Sequence, residues 1–494
     1  MISENDSIRL IFGLKVRALR QEKGLSFQQL ADKAGLSLSY VHDIETGKKF
    51  PKADKIIALA KTLGVDYDYL VSLRGNKKLQ PIIDLINSDF INAIPWEHFG
   101  LSPASLLELF SNTPDKVTAF ISTLLKIARS YQLSRESFYQ SALRSYQDLH
   151  DNYFEDIEEA VARFREQYKM KDQLPVDGAR LETILQSIHV KVNRKKMAGN
   201  DALGSVRSYY SASNNTLFLN KGLSRAQENF LLAREAGFQF LGFSERPFET
   251  VSRHSGSFEI MLNNFKASYF AVALLMPEEH FIDDVKRMLS QPKWNSKSWL
   301  DLLNSYDVTP EMMMQRLTNI LPRHFSIGNL FFLRLNGSMD SDHFEITKEL
   351  HLSQLHNPYA NALNEHYCRR WISIKSIKHI AGLLKSKKLR TPLVEAQISE
   401  YWLTHNKYLC ISIAKPVSAN SNELVSVTLG LLIDQHLLRA MPSLNDPLIP
   451  SWLVHTTCER CGIMDCKERA AAPEIITKAE KEIRKNDALR SLDQ

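Results

Sequence analysis

The amino-acid sequence predicts a multidomain chain, mainly α with α+β portions. At 494 residues it is too long for one core, since domains run to roughly 100–200 residues. Residues 7–72 read as a run of short helices punctuated by glycines. From residue 178 onward, strand-like runs such as "NTLFLN" and "KYLCISIAKPV" alternate with long helical ones such as "RAQENFLLAREAGFQFLGF".

Composition limits the function classes. Hydrophobic residues make up 44% and charged residues 24%, which suits a chain with buried cores and excludes global disorder. The net charge of +6 is mild for this length, so any polyanion contact rests on a local basic surface. "MISENDSIRLIFGLKVRALR" has no apolar signal core. No run approaches the roughly 20 apolar residues of a membrane span, so no membrane partner is expected. The five cysteines form an odd set and three crowd into "CERCGIMDC". Extracellular disulfides are disfavoured and a cytoplasmic location is expected.

The first helix is "SIRLIFGLKVRALRQEKG", stopped at Gly24. "LSFQQLADKAG" starts on Ser26 as N-cap and ends at Gly35. "LSLSYVHDIETGKK" follows after a very short turn, and "ADKIIALAKTLG" and "VDYDYLV" complete five helices. The expected core includes Leu30, Ala31, Ala34, Val41, Ile44, Leu59, Leu63 and Leu70. Two short helices joined through Gly35 are a helix-turn-helix signature. Arg17, Arg20, Gly24, Leu30, Ala31, Gly35, Val41, Ile44, Glu45, Gly47, Pro51 and Leu59 stand at spacings that resemble the lambda-repressor/Cro family.

A helix beginning near Ser37 is short enough to lie in a major groove with its first turn against base edges. Ser37, Leu38, Ser39, Tyr40 and Asp43 are the base-facing candidates, with His42 flanking. Lys48 and Lys49 suit phosphate, which adds salt-dependent affinity without sequence information. The resemblance implies an Arg20–Glu45 pair bracing the helices. Phe27 stands where many relatives carry a polar DNA-contacting residue, and Gln28 is the substitute candidate.

"RGNKKLQ" at 74–80 marks a boundary. Beyond it the pattern is helical, with an apolar stripe at 120–128. A helical spacer that also dimerises the chain is expected.

In the middle, "LETILQSIHVKV" reads as helix then strand, and "VRSYYSASNNTLFLNKGLS" as a strand pair turning at "SASNN". Helical runs follow, including "FKASYFAVALLMPEEHF". "NTLFLN", "NFLLAREAGFQFLGF", "YFAVALLMP" and "VTPEMMMQRLTNI" resemble, in that order, the ImmA/IrrE metallopeptidase family, a zincin-like α+β fold. The family's H-E-x-x-H places two imidazoles on one helix face over one zinc, with the Glu activating its water. Here Arg234 and Phe238 replace the two histidines, and only Glu235 remains. The third ligand position aligns near Lys266. A guanidinium repels a cation and a phenyl ring offers no lone pair, so no catalytic zinc and no enzyme activity are expected. Arg234 and Glu235 are either a packing salt bridge or, with Phe238 and Lys266, the lining of a ligand pocket for an anion.

Near the end, Cys458, Cys461 and Cys466 form C-x2-C-x4-C. Thiolates this close suit zinc or one face of an iron–sulfur cluster. Cys368 is the first candidate for a fourth ligand, ahead of His455 and Cys410; three free thiols are the alternative. "KYLCISIAKPV" and "ELVSVTLGLLI" read as strands of an α/β sensor, the second closed by Gly430 and Asp434.

The whole order, ending in Cys458, Cys461, Asp465, Cys466, Arg469, Ala470 and Pro473, resembles the short-chain fatty-acyl transcription regulators. That resemblance implies a homodimer or higher homo-oligomer on double-stranded operator DNA. It further implies a short-chain acyl-CoA or related metabolite as small-molecule effector, control of acyl or carboxylate metabolism, and an iron–sulfur cluster among relatives. A redox-sensing regulator is the alternative, and a repressor-fused zinc peptidase stands behind both. The expected boundaries are 1–75 for the helix-turn-helix domain, 76–170 for the connector, 171–335 for the degenerate metallopeptidase-like domain, 336–480 for the sensor and 481–494 for a tail.

Overall fold

The computed structural model describes residues 4–75, 79–80, 83, 135–171, 173–197, 200–249, 257–352, 365–386, 392–418 and 421–492. The apolar stripe at 120–128 lies outside the described residues. The chain forms two compact units, residues 1–146 with 253–262 and residues 147–252 with 263–494.

The first unit opens with α1 (Glu4–Glu22), α2 (Phe27–Ala34), α3 (Leu38–Glu45), α4 (Ala53–Leu63) and α5 (Tyr67–Val71). Ser26 and Gln29 close a reciprocal capping box at the start of α2, which satisfies two otherwise orphan amides. Gly35 ends α2 with φ +63, a left-handed turn that a side chain would resist. Ser37 then caps α3 through the Tyr40 amide. The core joins Leu30, Ala31, Val41, Ile44, Leu59 and Leu63, as expected, to Phe12 and Val16 of α1. The helix α6 (Arg135–Leu149) comes after the connector residues.

The second unit begins with α7 (Glu155–Gln167). The connector was expected to run to 170, and the structure corrects this. Asp151 and Asn152 adopt left-handed φ values of 50 and 53, ending the preceding helix. Asn152 then bonds Thr318 Oγ1 at 2.8 Å, and Glu158 of α7 pairs with the fully buried Arg316. α7 is therefore core to this unit.

After it come α8 (Gly178–Ser187), β1 (Lys191–Asn193), β2 (Ser208–Ser211), β3 (Thr216–Leu219) and α9 (Arg225–Phe240). The sheet order is β1-β3-β2, with β1 parallel and β2 antiparallel to β3. The helices α10 (Phe258–Leu275), α11 (Glu278–Leu289), α12 (Ser296–Ser305) and α13 (Pro310–Phe325) follow.

The rest of the unit holds β4 (Leu330–Ser338), β5 (Glu345–His351), α14 (Ile372–Lys385), β6 (Leu393–Tyr401), β7 (Lys407–Pro416), β8 (Glu423–Leu432), α15 (Gln435–Ala440), β9 (Ser451–Val454) and α16 (Glu474–Leu492). The strands form one sheet, β5-β4-β8-β7-β6-β9, antiparallel but for the β6–β9 pair. One face packs Leu333, Leu335 and Tyr408 against Ile374, Ile377 and Ile380 of α14.

Three further expectations change here. A boundary at 335/336 would cut β4, which pairs with β8 along its full length from Leu330 to Ser338. Gly430 does not close a strand; it pairs with Phe331 and Cys410 inside β8. A Cβ there would lie 2.2 Å from the Phe331 ring, so glycine is required by close packing. Finally, 481–492 is no loose tail but part of α16.

Candidate nucleic-acid interface and sensing sites

In the first unit the last turn of α1 is joined to the end of α3 by a buried ion pair. Arg20 Nε donates to Glu45 Oε1 at 2.7 Å and Nη2 to Oε2 at 2.9 Å, while Nη1 donates to the Leu25 carbonyl at 2.8 Å. Arg20 is 7% and Glu45 1% exposed. A bidentate fork of this kind fixes orientation as well as distance. The guanidinium also lies 4.1 Å over the Phe27 ring. Phe27, which departs from the family pattern, is thus the floor of the brace.

With that brace closed, α3 presents one exposed edge. Ser37, Leu38, Ser39 and His42 are exposed, and Tyr40 is half-buried. Leu38, a large apolar side chain, is 47% exposed. Two predicted contacts are already engaged within the fold. Gln28 Nε2 donates to Asp32 Oδ1 at 2.8 Å. Asp43 pairs with Lys49 at 2.9 Å, and that bond holds the Asp43 carboxyl below its ordinary pKa. An acid aimed at bases would repel phosphate, whereas here it fixes the Lys49 ammonium. The Lys48 and Lys49 amides both donate to the Asp43 carbonyl, at 2.8 and 3.1 Å. Lys48 and Lys49 stay exposed beside the α3 edge.

In the second unit, α9 carries Arg234, Glu235 and Phe238. Glu235 is 2% exposed and is claimed by Arg246, Nη1 to Oε1 at 2.8 Å and Nη2 to Oε2 at 2.5 Å. Gln239 Nε2 adds a third donor at 2.8 Å. The Arg246 guanidinium stacks 3.8 Å over Phe238 and 4.2 Å over Tyr210. A cation–π sandwich on an ion pair therefore surrounds Glu235, the one residue of the H-E-x-x-H pattern that remains.

Arg246 was absent from the predicted set. It lies past the helix end, and no spacing rule reports a loop that folds back. Lys266 was expected to join Arg234, but the charges acting on Arg234 come from Arg246, Glu235 and Arg207. Arg234 Nη2 donates to Ser208 Oγ at 3.4 Å, and its guanidinium lies 6.0 Å from the centre of the Phe238 ring. Burial, followed by the Arg246 charge, pulls its pKa down to about 10, while Glu235 acts the other way. His254 lies outside the described residues.

The cysteine loop is a built turn. The Cys461 amide donates to the Cys458 carbonyl at 3.2 Å, and the Ala470 amide reaches Cys458 Sγ at 3.4 Å. Arg469 clamps the loop from one side, donating to the carbonyls of Cys458, Cys461 and Ile463 at 2.8, 3.0 and 2.7 Å. Cys368 runs beside it, its amide on the Thr456 carbonyl at 3.1 Å and the Cys458 amide on the His366 carbonyl at 2.8 Å. Burial pushes the Cys368 thiol up to about 11, with Cys458 and Cys461 adding to the rise.

Cys466 is half-buried at the rim. Cys410 lies inside β7, its thiol pushed up to about 12 by burial. The His455 Nε2 atom is buried without a partner. Among the described residues no three His, Cys, Asp or Glu side chains converge as a ready metal cage. Cys458 and Cys461 are buried thiols on one turn, Cys368 is a third buried thiol, and the soft sulfur donors are of the kind a thiophilic metal takes. Among the described residues no helix is long and apolar enough to cross a membrane.

Residues 11–71 match the family described as Helix-turn-helix domain, and residues 186–318 the IrrE N-terminal-like domain. The chain is 29% identical over 154 residues to the propionyl-CoA carboxylase regulator of Cereibacter sphaeroides, covering 30% of this chain and 31% of that protein. It is 24% identical over 290 residues to the HTH-type transcriptional regulator RamB of Mycobacterium tuberculosis, covering 55% of this chain and 58% of RamB. Over 61 residues it is 41% identical to control protein C.BamHI of Bacillus amyloliquefaciens, covering 12% of this chain and 75% of that protein. The matches to the first two relatives thus span a third to somewhat over half of their length.

Proposed function

The chain belongs to the helix-turn-helix transcriptional regulators, here joined to an IrrE-like segment, and from that premise we propose a sequence-specific DNA-binding regulator that answers to a short-chain acyl-CoA or related metabolite. The observation that carries the DNA reading is the Arg20–Glu45 brace. It holds α3 rigid while leaving Leu38, Ser39 and His42 exposed beside Lys48 and Lys49. As a dimer, the protein would meet two related half-sites.

The mechanism is linkage: an effector changes DNA affinity only by binding one conformation better than the other. The IrrE-like segment is read as non-catalytic, a reading supported by Arg234 and Phe238 standing where the two zinc histidines would be and by Glu235 being bound to Arg246. The acyl-CoA part draws support from the family resemblance and from the name of the Cereibacter sphaeroides relative.

A footprint over a bound promoter tests the first part. No preference over random duplex at moderate salt removes it. The α3 edge and the lysines should then separate. Ser39→Ala or Tyr40→Ala is expected to lose about 1–3 kcal/mol on the cognate site and relax specificity. Lys48→Ala is expected to weaken all sequences alike and to lower the salt slope by about 1. A Lys48 variant that alters base preference would contradict the assignment. For the effector, DNA affinity measured with and without propionyl-CoA is the check, and unchanged affinity with any short acyl-CoA removes that part.

A second reading is favoured by the cysteine loop: Cys458, Cys461, Cys466 and Cys368 hold an iron–sulfur cluster or zinc and make the chain redox-responsive in the first case. When bound, a cluster supplies a one-electron centre; Arg469 orders the loop and the Ala470 amide orients the Cys458 sulfur. Anaerobically purified protein is expected to show visible absorbance for a cluster, or one zinc by metal analysis. Cys461→Ser is expected to abolish either signal. Metal content equal in wild type and Cys461→Ser would sink this reading.

A further inference from the structure

The two faces of the small sheet differ in what they meet. Side chains alternate across a strand. Ser208 and Tyr210 of β2 face α9, where Arg234 and Arg246 reach them. Tyr209, between them, leaves the other face. Its register partner Phe218 goes with it, as do Asn193, paired with Phe218, and Lys191, paired with Thr216. This second face is thus turned away from α9 and Glu235.

A cleft of about 650 Å³ opens there. Its deep wall includes the Phe218 ring, 9% exposed and stacked on Tyr209 at 6.2 Å between centroids. Lys196 Nζ stands 5.7 Å over that ring. The turn carrying Lys196 is fixed, because Asn193 Oδ1 accepts the Lys195 and Lys196 amides at 2.9 and 3.0 Å. Lys191 brings a second ammonium to the cleft, and Gln186, Asn193 and Asn214 bring three carboxamides. Asn193 keeps its Nδ2 hydrogens for a ligand. Thr216 donates its hydroxyl to the Asn214 carbonyl at 2.9 Å and keeps its oxygen as an acceptor. None of the eight lining residues is acidic. Of the carboxylates on the adjoining helices, Glu182 and Glu228 are both taken by Arg194, at 2.6 and 2.7 Å.

We propose that this cleft binds a phosphorylated, hydroxyl-rich small molecule of the sugar-phosphate class. Its volume falls within the roughly 300–1,000 Å³ of small-molecule sites and exceeds what a bare inorganic anion fills. Two ammonium groups balance one phosphate dianion, and lysine meets phosphate as a point charge. Carboxamides both donate and accept, as hydroxyl groups do, so three of them suit a sugar. An acyl chain would find only Val192 and Phe218 as apolar partners. The bound molecule would join the end of α8 to β1 and β3. The site is separate from any acyl-CoA effector and goes beyond that reading.

Calorimetric titration of the full chain with ribose 5-phosphate at constant ionic strength tests it, with ribose and inorganic phosphate titrated alongside. Wild type is expected to bind ribose 5-phosphate saturably and at least about ten-fold more tightly than either fragment. Lys191→Met and Lys196→Met are each expected to weaken binding at least about ten-fold, one lost charge-assisted bond being worth that much. Both lysines are exposed, so neither change disturbs a core. Lys293→Gln, an exposed lysine elsewhere, is expected to leave binding unchanged. Should Lys196→Met fail to fold, Lys191→Met carries the test.

No saturable binding of ribose 5-phosphate, or equal binding by wild type and both lysine variants, overturns the proposal. So does inorganic phosphate binding as tightly as the sugar phosphate, which would mark an anion site without a sugar seat. Propionyl-CoA is titrated separately. If it alters DNA affinity alike in wild type and both variants while ribose 5-phosphate is silent, the cleft fails and the effector reading stands. If ribose 5-phosphate binding depends on both lysines but no acyl-CoA alters DNA affinity, the cleft stands and the effector reading fails.

Discussion

Glu45→Ala is expected to unfold the DNA-reading head at temperatures where the wild-type head is intact. The substitution leaves the Arg20 guanidinium, 7% exposed, with only the Leu25 carbonyl and the Phe27 ring. Breaking one side of a buried pair costs about 3–5 kcal/mol, because the remaining charge stays buried and uncompensated. A small domain loses roughly 4–8 °C of Tm per kcal/mol, so the head's transition should fall by at least about 12 °C. Hydrogen exchange across residues 26–46 reads the effect locally, apart from the second unit. Replacing both partners, Arg20→Met with Glu45→Leu, should recover most of the loss, since an apolar pair of similar volume needs no partner. Wild-type protection in Glu45→Ala would show that the pair is not what holds α3 on α1.

The helices that carry this brace were legible from local signals, Ser26 capping α2 and Gly35 ending it; the Arg20–Glu45 pair itself, 25 residues apart, was implied by the family resemblance. Helix caps and 3.6-residue periodicity are short-range signals. The helices of the middle segment were legible for the same reason.

What escaped was long-range. β4 ends in "NGS", where the sequence analysis set a domain boundary, yet Asn336, Gly337 and Ser338 each pair across to β8. Gly430 reads as a terminator, although its task is to admit the Phe331 ring. Arg246 comes back to Glu235 from a loop. Motif reading thus found the scaffold and the missing zinc ligands, but not the residues that replaced their chemistry.

The second large effect concerns the phrase "QRLT". Its Arg316 is fully buried, with Nε on the Met276 carbonyl at 3.0 Å and Nη2 on Glu158 Oε2 at 3.0 Å. Tyr269 Oη donates to the other Glu158 oxygen at 2.7 Å. Glu158 stands on α7 and Arg316 on α13, so the pair binds the first helix of the second unit to one 158 residues further along the chain. Glu158→Ala strands a guanidinium with no exposure at all, and a cost of about 3–5 kcal/mol is again expected.

Glu158→Gln separates charge from shape. It keeps an acceptor for Arg316 or Tyr269 but removes the countercharge, so it should fall between wild type and alanine. Thermal unfolding of the full chain, with exchange protection read in α7 and α13, is the measurement. If Glu158→Gln is as stable as wild type, Arg316 needs only a hydrogen-bond acceptor there and the ion pair is dispensable. If it matches alanine, the countercharge is what holds α7 in the core, and a helix that reads in sequence as a spacer is a structural member of the second unit.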